Sequence, residues 1–547
     1  MLDGGSNTAN IGQGGIFIVK GSNLAPTGYT AFAPPRPTVS SGVKITFTTT
    51  GGGTATDAYL VSMCNTTTYG CVGDKTQLAG ILPSTVAAGS YNVTVTNGAV
   101  SAPFVAQVVA SKVALFTQDS TGTGLAIVQN YISASQVDLN RLTTGVVNGT
   151  TISPAKPGQT LIAWGTGLGA YATGDNTASP VFDFSKTLNI QAVVGGVSIP
   201  VLYAGRAGYA GEDQINFTLP ANIPTGCAVT LQFSVGGKLS APTSISIAPD
   251  AGSSACVIPG YTLAQLQNLD KGGTITIGGF TITQFSMTVP QLSAPEKIDS
   301  IAGGFSQLTA FQLSSAVQGN VNVIQSGSCQ VVQATITGTS TSTGSSTNLD
   351  AGVVTINGPS GSSLSNLALT KTSNDYSLTN IEGLGVTIPG QTAFSLPAGS
   401  YTLTGAGGND VGSFNTSLTL GSPLTLSAPL PTNVVRSSPL TLNWTGGIAS
   451  DKVEIVGAVS TSTGTGSTEV TTMTEFLCVT TVGAGTFTVP ASILSQLPAT
   501  TGTNLGILEV ASFNTSATFS ATLKADGTAI PSTFGSYIGI GSEPTYQ

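Results

Sequence analysis

The stretch Gln159-Thr160-Leu161-Ile162-Ala163-Trp164-Gly165-Thr166-Gly167-Leu168 decides the fold, because it has an earlier counterpart in the same chain, Gly15-Ile16-Phe17-Ile18-Val19-Lys20-Gly21-Ser22-Asn23-Leu24. Each is a short apolar run that ends in a glycine turn. A second pair follows in the same order. Ile81-Leu82-Pro83-Ser84-Thr85-Val86-Ala87-Ala88-Gly89 corresponds to Phe217-Thr218-Leu219-Pro220-Ala221-Asn222-Ile223-Pro224-Thr225-Gly226. Both copies continue with a strand, a glycine-containing turn and Ser-Ala-Pro, at Ser101 to Pro103 and Ser240 to Pro242. Shared order of several signals implies two tandem copies of one module, ending near residues 110 and 250.

Outward from the repeat the pattern is β throughout. Val43-Lys44-Ile45-Thr46-Phe47, Tyr91-Asn92-Val93-Thr94-Val95, Val229-Thr230-Leu231-Gln232-Phe233 and Ser244-Ile245-Ser246-Ile247 alternate apolar and polar residues. Period-two alternation rich in β-branched residues specifies half-buried antiparallel strands. Helical periodicity is confined to Leu263 to Leu269 and Ala491 to Leu497. Strand patterns recur at Gly352 to Ile356, Ala393 to Leu403 and Ser417 to Leu420, and the Ser/Thr/Gly run Thr337 to Thr347 reads as a hairpin tip or a linker. In the last region Pro439 to Gly447 reads as a strand with a buried Trp444, and Val453 to Val456 is expected opposite Phe476 to Val479. The expected organisation is all-β: tandem immunoglobulin-like β-sandwich domains with antiparallel sheets and very little helix. Residues 1–110 and 111–255 are two like sandwiches, 256–430 a larger β domain, and 431–547 a C-terminal sandwich.

The repeat resembles the immunoglobulin-like IPT/TIG modules. Its second copy is the closer match to one subgroup, through Pro157-Gly158, Trp164 to Gly169, Val194-Gly195-Gly196-Val197, Val201 to Gly205 and Gln214-Ile215-Asn216-Phe217. These look like the C-terminal module common in secreted and surface proteins of Acidobacteria, which usually carries an aliphatic residue or Phe where Trp164 stands. The resemblance covers about 100 residues well and residues 1–110 more loosely. It implies a sandwich outside the cell and no particular activity.

Composition narrows the function. The 547 residues include 16 Lys and Arg and 24 Asp and Glu, a charged fraction of 7% against about 25% in soluble proteins generally. There is no histidine, so Ser-His-Asp and Cys-His chemistry and imidazole zinc sites are excluded. A net charge of −8 cannot neutralise phosphates, which excludes nucleic acid as a partner. With 40% hydrophobic residues the chain has the means to bury cores. No run of 18 apolar residues exists to span a membrane, and Met1 to Gly5 shows no signal peptide. The six cysteines form no C-x-x-C pair. Sequence proximity pairs Cys64 with Cys71 and Cys227 with Cys256, leaving Cys329 for Cys478, one of fifteen connectivities. Six buried thiols are the alternative. An even count in so uncharged a chain favours an oxidising, extracellular or cell-surface location.

Each candidate site in the sequence also has a plain structural role. Gly165 to Gly169 has the glycines of a phosphate loop but no helix pattern after it, so it reads as a turn. Asp119 to Gly122 and Asn409-Asp410 are acidic loops without the ligand density of a calcium loop. Glu212-Asp213, Glu382, Asp451 and Glu454 are the carboxylates a histidine-free hydrolase would use. Lys371 and Lys452 are the lysines considered for isopeptide crosslinks, and no motif supports either. No catalytic, cofactor or metal residue is assigned. The favoured reading is a non-enzymatic extracellular structural protein that self-associates into a homopolymer (a filament, stalk or surface layer) through sandwich contacts or strand addition. Met1 to Gln13 and Pro531 to Gln547 are the candidate donated strands. The alternative is an adhesin or carbohydrate-binding protein whose glycan or surface ligand meets Tyr69, Tyr171, Tyr203, Tyr209 or Tyr376.

Overall fold

The structure is a computed structural model. It describes all residues except 172–173, 178–180, 207, 290–294, 311, 314–326, 338–346, 384–391, 464–469 and 502–505; most of the Thr337 to Thr347 run therefore lies outside the described residues. The chain divides into two compact units, Met1–Cys256 and Val257–Gln547.

In the first unit the sequence repeat is a repeat of pairings. In the first copy Ile16–Gly21 pairs antiparallel with Thr76–Ile81, which pairs with Tyr59–Asn65; Gly89–Asn97 pairs with Lys44–Thr49 and with Phe104–Val109. In the second copy Thr160–Thr166 pairs with Asp213–Thr218, which pairs with Val197–Arg206; Gly226–Val235 pairs with Ile190–Val194 and with Thr243–Ile247. The alternation read from sequence is what fills the space between the sheets. Phe17, Val19, Leu60 and Leu78 meet Ile45, Phe47, Val93 and Val108 in one core, with the Phe17 and Phe47 rings edge to face at 5.5 Å. Leu161, Ile215 and Phe217 with Val229, Leu231 and Phe233 build the second. These are tandem immunoglobulin-like β-sandwiches.

A tyrosine fixes the corner in the first copy. Tyr91 Oη donates to the Ala87 carbonyl at 2.9 Å, four residues upstream, the backward tie that characterises immunoglobulin-like corners. Tyr401 repeats it in the second unit, donating to the Pro397 carbonyl at 2.7 Å. Both follow Ala-Gly-Ser, at Ala88 to Ser90 and Ala398 to Ser400. Gly89 and Gly399 sit at φ +155° and +149°, which a side chain rarely adopts.

The second unit is built on one large sheet. Its strands run in the order Ser328–Thr337, Val470–Thr481, Lys452–Thr463, Gly506–Thr522, Ala529–Ser542, Thr274–Thr288, Glu296–Thr309, Asp375–Glu382 and Thr370–Thr372. One part of it packs Phe280, Ile282, Phe305, Tyr376 and Phe534 against Ile356, Tyr401, Leu403 and Phe414 of a smaller sheet. Another small sheet, Leu424–Leu426, Leu440–Gly446 and Thr486–Val489, carries the buried Trp444. The expected division at residue 430 is therefore crossed by hydrogen bonds: Thr274–Thr288 pairs parallel with Ala529–Ser542 from Gly278 opposite Ser532 to Thr288 opposite Ser542. Period-two patterns reveal strands but not which distant strand completes a sheet.

Helix is sparse. Leu263–Asp270 is closed by a capping box, in which Gln265 Oε1 accepts from the Thr262 amide at 2.8 Å and Thr262 Oγ1 accepts from the Gln265 amide at 3.3 Å. Ala491–Leu494 forms a single turn. Among the described residues no helix is long and apolar enough to cross a membrane. The cysteines are joined as Cys64–Cys71, Cys227–Cys256 and Cys329–Cys478.

Both stretches named as donated strands are used by this chain itself. Leu2–Asp3 pairs with Ile16–Gly21, and Ile11–Gly12 runs parallel to Phe104–Val109. Ala529–Ser542 lies inside the large sheet with neighbours on both sides, and Thr545–Tyr546 pairs with Asn433–Val434. Within this chain each of these segments completes one of its own sheets; Leu2–Asp3, Ile11–Gly12 and Thr545–Tyr546 do so as end strands paired on one side.

Candidate functional site

Trp164 lies on the outward face of the Thr160–Thr166 strand, because Leu161 and Ala163 take the core side. Register sets its neighbours on that face. Trp164 is opposite Gln214, Ile162 lies between Asn216 and Gln129, and Tyr203 is opposite Asn216. A register shift between Val201 and Tyr203 brings the tyrosine to this side of the sheet. The side chains tie to one another. Trp164 Nε1 donates to Gln129 Oε1 at 2.9 Å, Gln214 Nε2 donates to Asn216 Oδ1 at 2.9 Å, and the Thr160 and Thr218 hydroxyls meet at 2.9 Å. Tyr209, 56% exposed on the following loop, stands edge-on to the indole with ring centroids 5.6 Å apart. Trp164, Gln129, Gln214, Asn216 and Tyr203 are half-buried. The result is a neutral aromatic and amide surface, with ring faces for C–H groups and amides for hydroxyls.

Of the five tyrosines singled out in the sequence, only Tyr203 and Tyr209 come together. Tyr171, on a loop, and Tyr376, within the Asp375–Glu382 strand, are both buried, a correction to their reading as ligand contacts. Tyr376 Oη accepts from the Ala351 amide at 2.8 Å. Tyr69 is 65% exposed and its ring lies tilted against that of Tyr29, centroids 4.9 Å apart, beside the Cys64–Cys71 loop. Trp164 and its amide neighbours were not singled out as a site, because strand register across 85 residues is not written in local pattern.

The Gly165 to Gly169 turn is structural. Gly167 has φ +89°, and a Cβ there would sit 2.0 Å from the Lys112 carbonyl. The Leu168 amide, which a phosphate would need, donates to Asp213 Oδ2 at 2.8 Å. Asp213 itself pairs with Arg206, and both side chains are fully buried. Arg206 Nη2 reaches the Gly14 carbonyl of the first copy at 3.0 Å. Nearby, Asp175 takes the Ser84 amide and hydroxyl, each at 2.8 Å, and Ser84 Oγ accepts from the Tyr171 amide at 2.7 Å. Ile16 donates to Thr166 Oγ1 at 2.8 Å, and Lys112 Nζ caps Thr8 Oγ1 at 2.6 Å. A dense polar junction thus locks the two sandwiches of the first unit.

The acidic loops hold their own partners. Asp119 Oδ1 accepts from the Thr121 amide and hydroxyl, an Asx turn. Asp410 Oδ2 accepts from the Asp350 amide at 2.8 Å, beside a cavity of about 260 Å³ lined by Gln307, Asn409 and Lys524 among others. Lys371 pairs with Asp350, and that hydrogen bond holds the carboxyl down to about 2. Lys524 Nζ donates to the Gly408 carbonyl. Lysines supply the positive charge at this loop. Lys452 stands 5.9 Å from the Phe513 ring centroid.

The scattered carboxylates include one convergence. Register puts Glu454 opposite Ala511, and Val456 opposite both Glu509 and Leu477, so Glu454, Glu509 and the nearby Glu475 share one face of the large sheet. Leu477, Val479 and Phe513 cluster on that face, with Tyr537 packed against them. Tyr537 Oη donates to Glu509. Burial first, then the charges of Glu509 and Glu475, pushes Glu454 up to about 8. Among the described residues no group of three or more Cys, Asp or Glu is arranged to hold a metal ion.

Comparison with solved structures returns immunoglobulin-domain chains. The I-band fragment I67-I69 from titin is 8% identical, covering 77% of this chain and 99% of its own, at a TM-score of 0.10. The N-terminal eight Ig domains of Down Syndrome Cell Adhesion Molecule are 9% identical, covering 97% of this chain and 66% of their own, at a TM-score of 0.11. No protein-family model and no curated protein matches. The fold assignment rests on the strand pairings, cores and corners described above.

Proposed function

We propose that this chain is a non-enzymatic extracellular structural protein, of the IPT/TIG-like class seen on acidobacterial surfaces, whose copies assemble edge to edge into a filament or layer. One observation carries this reading. Gly28–Ala31 is the terminal strand of its sheet, with Tyr29, Thr30 and Ala31 exposed, and it bears no charge, no proline and no bulge. Soluble proteins usually guard such an edge with lysine or proline, because its free backbone groups template pairing with another chain. By contrast Thr370–Thr372, an end strand of the large sheet in the second unit, does carry a lysine, Lys371. Three disulfides suit an oxidising compartment. The locked junction of the first unit supplies the stiffness that a load-bearing element needs.

Light scattering with negative-stain imaging tests it. Concentration-dependent polymers are expected, and Thr30→Lys is expected to reduce them to monomers. A monodisperse monomer at every concentration, or polymers indifferent to Thr30→Lys, would refute edge assembly.

A further inference from the structure

We propose that the outward sheet face around Trp164 is a binding platform for a neutral polysaccharide, with the indole stacking on a sugar ring and Gln129, Gln214 and Asn216 bonding its hydroxyls. The inference goes beyond assembly and does not depend on it. Its first support is the chemistry of the face. The outward positions in register with Trp164 hold amides, hydroxyls, aromatic rings and Ile162, and none of them is ionised. Uncharged positions around Trp164, with the nearby Asp183 beside Tyr203 paired to Lys186, give little advantage to an acidic or basic partner, whereas uncharged sugars offer what they can use, C–H faces for rings and hydroxyls for amides.

The second support is preorganisation. The Trp164 ring is tied by its hydrogen bond to Gln129 and by its near-perpendicular contact with the Tyr209 ring, so its orientation is set before a ligand arrives. Each amide keeps hydrogen-bonding capacity after its internal bond, since Gln129 Nε2, Gln214 Oε1 and Asn216 Nδ2 are not the atoms used. Tyr203 instead turns its hydroxyl to the Arg206 and Phe182 carbonyls, leaving the ring as an apolar edge. The third support is size. Strands about 4.8 Å apart make the span from the Val197–Arg206 strand to the Val128–Ser133 strand about 14 Å, room for more than one sugar ring in a row.

The chain has two tryptophans, and Trp444 is 3% exposed with Nε1 bonded to the Val482 carbonyl at 2.9 Å, so Trp164 is the responsive fluorophore. The full chain is titrated with hexasaccharides of β-glucan, α-glucan, mannan, xylan and chitin, with polygalacturonate as the charged control. A saturable emission shift with at least one neutral hexasaccharide, unchanged by high salt, is expected. By affinity electrophoresis on the matching polysaccharide, Trp164→Ala is expected to weaken binding by about tenfold or more. Trp164→Phe should keep part of it, and Tyr209→Ala and Gln214→Ala should weaken it if Trp164→Ala does not fold. The proposal fails if no neutral sugar moves the emission, if Tyr209→Ala and Gln214→Ala bind unchanged, or if the shift follows protein concentration without sugar. Thr30→Lys is expected to keep the sugar response, which separates this outcome from the fate of edge assembly.

Discussion

Arg206 and Asp213 form an ion pair from which water is excluded, on neighbouring strands of the second sandwich, and the same guanidinium reaches the Gly14 carbonyl of the first. A buried pair of this kind adds little over apolar packing, but removing one member strands the other charge in a medium that cannot solvate it. Arg206→Ala is therefore expected to cost about 3–5 kcal/mol in the first unit. Denaturant unfolding of the full chain should show the first unit's transition moving while that of the second stays. Hydrogen exchange should rise at Gly15 and Leu168 together, because one side-chain network holds both backbones.

Glu454 gives the second unit a pH dependence of defined sign. Its folded value, about 8, lies above the unfolded carboxylate value of 4.5. Below 4.5 both states hold the proton and nothing is lost. Between 4.5 and 8 the unfolded state releases it while the folded state retains it, so stability falls as pH rises, and above 8 the loss is constant. Each unit of difference is worth about 1.4 kcal/mol at most. Glu454→Gln is expected to stabilise the second unit by about 1–3 kcal/mol at pH 8 and to change little at pH 4. Thermal unfolding across pH 4 to 9 checks both arms.

The disulfides close loops of very different length, with sequence separations of 7, 29 and 149. Loop-closure entropy ranks them at about 2.5, 3.6 and 5 kcal/mol. Paired Cys→Ser substitution at Cys329 and Cys478 is expected to lower the unfolding midpoint of the second unit most. Loss of Cys64–Cys71 should be the mildest. Equal losses for all three would show that the bonds act through the folded state.

The tyrosine corners predict matched small effects in separate units. Tyr91→Phe and Tyr401→Phe each delete one hydrogen bond to an upstream carbonyl and keep the ring. About 1 kcal/mol each is expected, with Tyr91→Phe felt only in the first unit and Tyr401→Phe only in the second. Two-transition calorimetry separates them.

What was legible in the chain was local or repeated. The glycine turns, the Leu-Pro corner and the Ser-Ala-Pro lead-in recur at fixed order, so the two like sandwiches of the first unit followed from matching Gly15 to Leu24 with Gln159 to Leu168. Ala398-Gly399-Ser400-Tyr401 matches Ala88-Gly89-Ser90-Tyr91 just as openly, and it marks the corner of a further sandwich where local alternation by itself specifies only a strand. Pairing at a distance was not legible. The three glutamates of the large sheet lie on three different strands, and nothing in their flanking residues fixes the register that gathers them. The Trp164 face was half visible: its tyrosines stood out, but the amides joined them only through strand pairing and one shifted register.

The parallel ladder between Thr274–Thr288 and Ala529–Ser542 has a consequence for biogenesis. About 250 residues must leave the ribosome after the first of these strands before its partner exists. Until then Thr274–Thr288 has one side of its backbone open. The second unit is in this sense a clasp that closes only when the last part of its chain has arrived.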